Sequence, residues 1–137
     1  MSRPVRLFAI AVAFALSAAC QLKSTPVPPN FITADPSRFV LKSVDRFTDP
    51  NGGTTNSTIV VVKATYTNGE GAPETIAADK FILLDPTLQT YYVGLSGGDV
   101  RIPSMAQTTL LPGKSVDIAV GFRVPDAMST ARLAYHE

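Results

Sequence analysis

The chain has 137 residues, a length that suits one domain with a single hydrophobic core. Its 12 basic and 11 acidic side chains nearly cancel, so the composition provides no broad basic surface for nucleic acid or for an anionic membrane. The single cysteine, Cys20, excludes a disulfide within the chain, and stability must therefore come from packing.

The first nineteen residues have the layout of a secretory signal peptide. Arg3 and Arg6 form a basic start, residues 7–16 are apolar, and residues 17–19 are small. The apolar run is too short to cross a bilayer, because a spanning helix needs about 20 such residues. The sequence therefore predicts that residues 1–19 are a leader that is removed in front of Cys20.

The segment Leu16–Cys20 resembles the lipoprotein box of bacterial lipoproteins, although Ser17 stands where leucine is most common. This resemblance implies a diacylglyceryl group on Cys20, and two acyl chains anchor a protein stably. Gln21 rather than Asp follows, which implies the outer membrane, facing the periplasm, in a Gram-negative host. In any other host the outer face of the cell membrane is expected. The alternative is an ordinary signal peptide with an unmodified cysteine beside it.

Residues 20–37 are predicted to be a lipidated cysteine followed by a proline-rich tether. Four prolines fix φ and remove backbone donors: Pro26, Pro28, Pro29 and Pro36. An extended chain that rises about 3.1 Å per residue would place the domain up to roughly 50 Å from the membrane. The alternative is that Phe31 and Ile32 pack as an edge strand.

From residue 38 onward, apolar residues recur with a period of two. In Lys114–Val124 every second side chain is apolar, the pattern of a strand with one face on a core. Further strands are predicted at Phe39–Phe47, Thr58–Thr67, Lys80–Leu84, Thr90–Val93 and Arg132–His136. Turn residues separate them, and short helical turns fit only at residues 77–79 and 126–130. The pattern predicts an all-β antiparallel sandwich of about seven strands over residues 38–137.

The order of these landmarks resembles an immunoglobulin-like domain of unknown function, found in bacterial lipoproteins and in a secreted mycobacterial antigen. The matching residues are Tyr66–Asn68, Phe81–Asp85, Tyr91–Tyr92, Leu111–Ser115, Phe122–Pro125 and Leu133–Tyr135. The resemblance implies an immunoglobulin-like fold and an envelope location, and it supplies no catalytic or cofactor residues. Leu95–Thr109 is long for this pattern, so the features specific to this protein are expected there.

A contact surface is predicted around Tyr91 and Tyr92. Neighbouring strand residues point to opposite faces, so one tyrosine should lie outside the core, where tyrosine is a frequent interface anchor. Ser96, Gly97 and Gly98 follow in a glycine-rich loop and complete the predicted surface. The alternative is an ordinary surface tyrosine that covers its own sheet.

Catalytic and metal sites are not predicted. Residues 94–98 fit the G-x-S-x-G pattern of a serine nucleophile, but no helical pattern follows, and the only histidine is His136 near the end. Asp49–Thr55 imitates the start of a calcium loop, yet Val60 stands where the closing glutamate belongs.

The expected function is that of a membrane-anchored, non-enzymatic interaction module that binds another envelope protein. Two alternatives remain open from the sequence: a structural envelope lipoprotein without a discrete partner, and a serine hydrolase using Ser96. No cofactor or nucleic-acid partner is expected.

Overall fold

The computed structural model describes residues 25–48, 57–87 and 89–137. These residues form nine strands and one 3-10 helix, Ala78–Lys80, without an α-helix. The strands are β1 (Ile32–Ala34), β2 (Phe39–Thr48), β3 (Ser57–Thr67), β4 (Glu74–Ile76), β5 (Phe81–Asp85), β6 (Thr90–Val93), β7 (Thr108–Leu110), β8 (Ser115–Pro125) and β9 (Ala131–Tyr135). The predicted signal peptide, Cys20 and the loop at residues 49–56 lie outside the described residues.

The strands form two larger sheets and a short ribbon. One sheet has the order β2-β3-β8 and is antiparallel throughout. The other has the order β1-β9-β5-β6, in which β1 runs parallel to β9 and the remaining pairs are antiparallel. β4 and β7 pair as a two-stranded ribbon. The predicted all-β, sandwich-like architecture is therefore confirmed.

All six predicted strands are present, each within one residue of its predicted bounds. Of the three remaining strands, β1 was expected only as the alternative to a tether, and β4 and β7 were not predicted; each has three residues, too few to show an alternation. A helical turn was expected at residues 77–79, and the 3-10 helix Ala78–Lys80 occupies that place. Residues 126–130 begin with a turn and form no helix.

The packed domain starts before the expected boundary at residue 38. Phe31 and Ile32 are buried, and β1 pairs with β9, so the edge-strand alternative is the one found. The backbone N–H of Thr25 donates to Arg46 O at 2.8 Å, which ties the proline-rich segment to β2. Burying two large apolar side chains contributes about 1.5–3 kcal/mol each, and together with the pairing to β9 this offsets part of the conformational entropy that a free tether would keep.

The core lies between the inward faces of the two larger sheets. Its main members are Val60, Val62, Ala64, Tyr66, Phe81, Leu83, Ile118, Val120, Phe122, Val124 and Leu133. Four of them, Val60, Val62, Ala64 and Tyr66, come from β3, because alternation along an antiparallel strand places residues two apart on one face. Tyr66 sits at the centre, with its ring centroid 5.3 Å from that of Phe81 and 5.4 Å from that of Tyr135.

The strand register determines which turns share an end of the sandwich. Ser57 lies opposite Pro125 at one end of the first sheet, and Thr67 lies opposite Ser115 at the other. In the second sheet β9 starts beside Phe31 and ends at Tyr135. We call the end with turns 28–30, 86–87 and 126–130 the lower end. The upper end comprises turns 68–73 and 111–114 and the 3-10 helix.

Asn68 joins the turns of the upper end. Its fully buried side-chain amide donates to Ala72 O and Leu110 O, both at 2.9 Å, and its Oδ1 accepts from the Glu70 N–H at 2.8 Å. Its backbone carbonyl accepts from the Gly113 N–H at 2.9 Å. One side chain therefore satisfies backbone groups of two loops that lie far apart in sequence.

We expect Asn68→Ala to lower the free energy of unfolding by about 2–3 kcal/mol, because buried backbone groups would lose their partners. Urea unfolding followed by circular dichroism measures this loss. Thr67→Ala is the control, since it removes only the exposed hydroxyl contact with Ser115, 2.7 Å long, and should cost about 0.5 kcal/mol. Equal losses in the two variants would contradict this role of Asn68.

Candidate functional site

Three large apolar side chains are exposed together on the outer face of the second sheet. Tyr91 is 59% exposed, Val93 44% and Leu84 38%. Leu84 lies directly opposite Tyr91, and Val93 lies opposite the buried Ile82, so Leu84, Tyr91 and Val93 form one exposed surface across β5 and β6. We call this surface the tyrosine patch. Tyrosine, with a flat apolar ring and a polar tip, is enriched at protein interfaces.

Tyr92 faces the other way. It lies opposite Leu83, is half-buried and packs against the core. The prediction that one of the two tyrosines lies outside the core is confirmed, and that residue is Tyr91. Tyr92 is therefore a packing residue, and it is not part of the exposed patch.

A groove of about 630 Å³ adjoins the patch at the lower end of the sheet. Its walls include Leu84 from the patch, Thr33 from β1 and Arg132 from β9. Asn30 and Gln89 line it at the adjacent turns. The patch thus passes from an apolar area into a region with a cationic side chain and several hydrogen-bonding groups.

The segment at residues 96–107, which we call the flap, crosses the outer face of the other sheet. Ile102 is buried there against Ile59 and Val61. Gly121 makes room for it, because a Cβ at this position would lie 2.8 Å from Ile102 Cγ2. Before the flap begins, the Leu95 N–H donates to Gly121 O at 2.8 Å. The long segment that the sequence singled out is therefore a cover for an apolar sheet face.

Ser96 closes the base of the flap. Its Oγ accepts from the Met105 N–H at 2.7 Å and donates to Met105 O at 3.3 Å. Gly97 and Gly98 adopt φ of 66° and 83°, the left-handed conformation that favours glycine. These three residues belong to the flap, and the predicted contact surface is therefore divided between two faces of the sandwich.

An ion pair holds the tip of the flap. Arg101 donates from Nε and Nη2 to the two carboxylate oxygens of Asp99, at 2.8 and 2.7 Å. Arg123 Nη2 lies 4.0 Å from Asp99 Oδ2. The bonds from Arg101 hold the pKa of Asp99 well below its ordinary range. Val100, between the paired residues, is 92% exposed. The tip is thus a rigid turn that presents one apolar side chain.

Two smaller grooves flank the flap, with volumes of about 440 and 270 Å³. Lys63 lines both of them. Asp117 and Lys42 lie 3.0 Å apart in the larger groove, and Asp45 lines the smaller one. Charges of both signs alternate here, whereas large apolar groups are concentrated in the tyrosine patch.

Sequence reasoning found the pair Tyr91 and Tyr92 without deciding which faces outward, and it missed Leu84, Val93 and Arg132. The run Phe81–Leu84 is apolar at every position, so its pattern gives no sign that Leu84 faces outward. Val93 lies two residues after Tyr91 on β6 and so shares its face, whereas only the pairing of β5 with β6 and β9 brings Leu84 and Arg132 beside Tyr91.

We expect Asp99→Asn to lower the unfolding temperature near pH 7. The folded-state pKa of Asp99 lies below the unfolded value of about 4, so the carboxylate stabilises the fold above pH 4. That stabilisation is lost as the pH falls through the folded-state pKa. The difference in unfolding temperature between variant and wild type should therefore narrow from about pH 4 to pH 2.

Thermal unfolding across this pH range measures the gap. Asp79→Asn is the control for removal of a surface carboxylate, because Asp79 is the exposed residue of the 3-10 helix. A gap for Asp99→Asn that is the same at the two ends of the range would refute the proposed stabilisation by the ion pair.

In the described part of the chain, no three His, Cys, Asp or Glu side chains are grouped so that they could hold a metal ion. The same residues contain no helix with the length and apolar character needed to span a membrane. Comparisons with protein-family models, with curated proteins and with solved structures find no match to the chain. Its function must therefore be argued from its own residues and geometry.

Proposed function

We propose that this chain is a cell-envelope lipoprotein, anchored through Cys20, whose sandwich is a non-catalytic module for binding another envelope protein. The anchor is supported by the order of basic start, apolar run, small residues and Cys20 in the sequence. The binding role is supported by one observation above all, the grouping of Leu84, Tyr91 and Val93 in the tyrosine patch.

The immunoglobulin-like assignment is part of this proposal. It is supported by the way the landmark residues meet in space. Tyr66 contacts the rings of Phe81 and Tyr135, and Asn68 bonds the turn that contains Gly113. Residues that are scattered in the sequence thus form one packed set that joins the two sheets.

The chemistry of the patch favours a protein partner. Tyr91 offers a large, rigid contact area with only two side-chain torsions to order on binding. Arg132, at the lower edge of the patch, lies opposite Leu84 and adds a cationic group at its rim. An apolar centre with a polar rim is the usual composition of a protein interface.

The anchor is tested by the intact mass of protein extracted from membranes. We expect a chain that begins at Cys20 and carries a diacylglyceryl group. The Cys20→Ser variant should be absent from the membrane fraction, because it lacks the acyl chains that would hold the protein there. A soluble wild-type protein with an unmodified thiol would refute the anchor.

The binding role is tested by capture from detergent-solubilised envelope with wild type, Tyr91→Ala and Val40→Ala. Val40 is 62% exposed on the first sheet, so its variant removes a comparable apolar group away from the patch. Loss of a central tyrosine anchor costs about 2 kcal/mol, roughly a 30-fold loss in affinity. We expect that loss for Tyr91→Ala only.

Equal recovery of a partner with all three proteins would place the contact elsewhere. Recovery of no partner by wild type would favour the alternative of a structural lipoprotein without a discrete partner. In that case deletion of the gene should alter the detergent sensitivity of the envelope with no co-purifying protein.

A further inference from the structure

Thr25, the first described residue, is hydrogen-bonded to the sandwich and lies close in sequence to Cys20. Thr25 donates twice to Arg46 O, from its N–H at 2.8 Å and from its Oγ1 at 3.2 Å. Phe31 is buried a few residues later, with the Arg46 guanidinium 5.1 Å from its ring centroid. Only residues 21–24 therefore separate the predicted lipid from a part of the chain that is bonded to the sandwich.

The length of that spacer limits how far the domain can stand from a bilayer. Five residue steps lead from Cys20 to Thr25, and a fully extended chain covers at most about 3.6 Å per step. The reach is thus about 18 Å, roughly a third of the 50 Å that a tether through residue 37 would allow.

The tie lies at the lower end of the sandwich. Arg46 pairs with Val60 near the start of β3, and its Nη2 donates to Asp126 O at 2.9 Å. Asp126 begins one of the lower-end turns. The short spacer therefore keeps the lower end of the domain close to the bilayer. The upper end lies a strand length away, about 36 Å for the eleven residues of β3.

The lower end also has the composition that fits a lipid surface. Turns 28–30, 86–87 and 126–130 contain one charged side chain between them, Asp126. The upper-end turns and the 3-10 helix contain four: Glu70, Asp79, Lys80 and Lys114. Two charged side chains beside these turns, Arg46 and Arg132, are cationic, so this end can approach zwitterionic or anionic headgroups without repulsion.

We propose that the bilayer surface is the partner of the lower end, so that the sandwich stands upright on the membrane with its strands along the membrane normal. This inference rests on the proposed anchor at Cys20. The groove beside Asn30 and Arg132 then lies next to the headgroups, and the tyrosine patch faces sideways, toward proteins in the same membrane.

The test uses the mature chain from Cys20 and two features of its composition. Cys20 is the only cysteine, so a maleimide-bearing lipid in a vesicle couples at that residue alone. The chain contains no tryptophan, so one introduced tryptophan is the only such donor. Ser129→Trp reports on the lower end and Lys114→Trp on the upper end, and both positions are exposed. The measurement is energy transfer from tryptophan to a dansyl-headgroup lipid.

We expect transfer from Ser129→Trp to be several-fold stronger than transfer from Lys114→Trp. A matched control inserts twelve Gly and Ser residues between Ser24 and Thr25, which restores a long tether and should bring the two signals close together. Equal transfer from both positions without the insertion, or no transfer from either, would overturn the upright arrangement.

Because the lipid is coupled chemically, the vesicle measurement does not depend on whether the proposed lipidation of Cys20 is correct. Coupling supplies the attachment whether or not the cell modifies Cys20, so the vesicle measurement tests orientation alone. The intact mass of the native protein tests lipidation alone. Urea unfolding of both tryptophan variants, with midpoints equal to that of wild type, establishes that neither substitution has changed the fold.

Discussion

The packing of Tyr66 between the two larger sheets is the interaction on which the rest of the structure depends. Its ring joins β3 to Phe81 and Tyr135 of the other sheet. Its buried hydroxyl donates to Glu74 Oε1 at 2.9 Å and accepts from Arg38 Nη1 at 3.2 Å, and burial raises its pKa above the ordinary range. A buried phenol needs such partners, so the contact fixes the register of several elements at once.

The position of the tyrosine patch follows from that register. With Leu83 held in the core, its neighbour Leu84 must face outward, and the pairing of β5 with β6 brings Tyr91 beside it. A slip of one residue would reverse every side chain and bury Tyr91 in place of Tyr92. The same alternation on the first sheet leaves Ile59 facing outward, and the flap covers it.

The sequence predicted the long strands well because alternation over five or more residues is a strong signal of a sheet with one buried face. It gave β1 only as an alternative, since the prolines before Phe31 favoured a tether and three residues show no period. For the site, the adjacency of Tyr91 and Tyr92 predicted one outward tyrosine without deciding which of the two it is. The surfaces beside it depend on pairings between distant strands, which no local pattern contains.

The parallel pairing of β1 with β9 has a mechanical consequence. A protein fixed to a membrane at one point and to a partner at another is under tension whenever the two move apart. With the anchor proposed at Cys20, a pull on the chain before Thr25 would load the two hydrogen bonds from Thr25 to Arg46 O first, and would then run along β1 and shear its hydrogen bonds to β9 together. Under the proposed anchor, the tie from Thr25 to β2 and the short strand β1 would together resist such a pull.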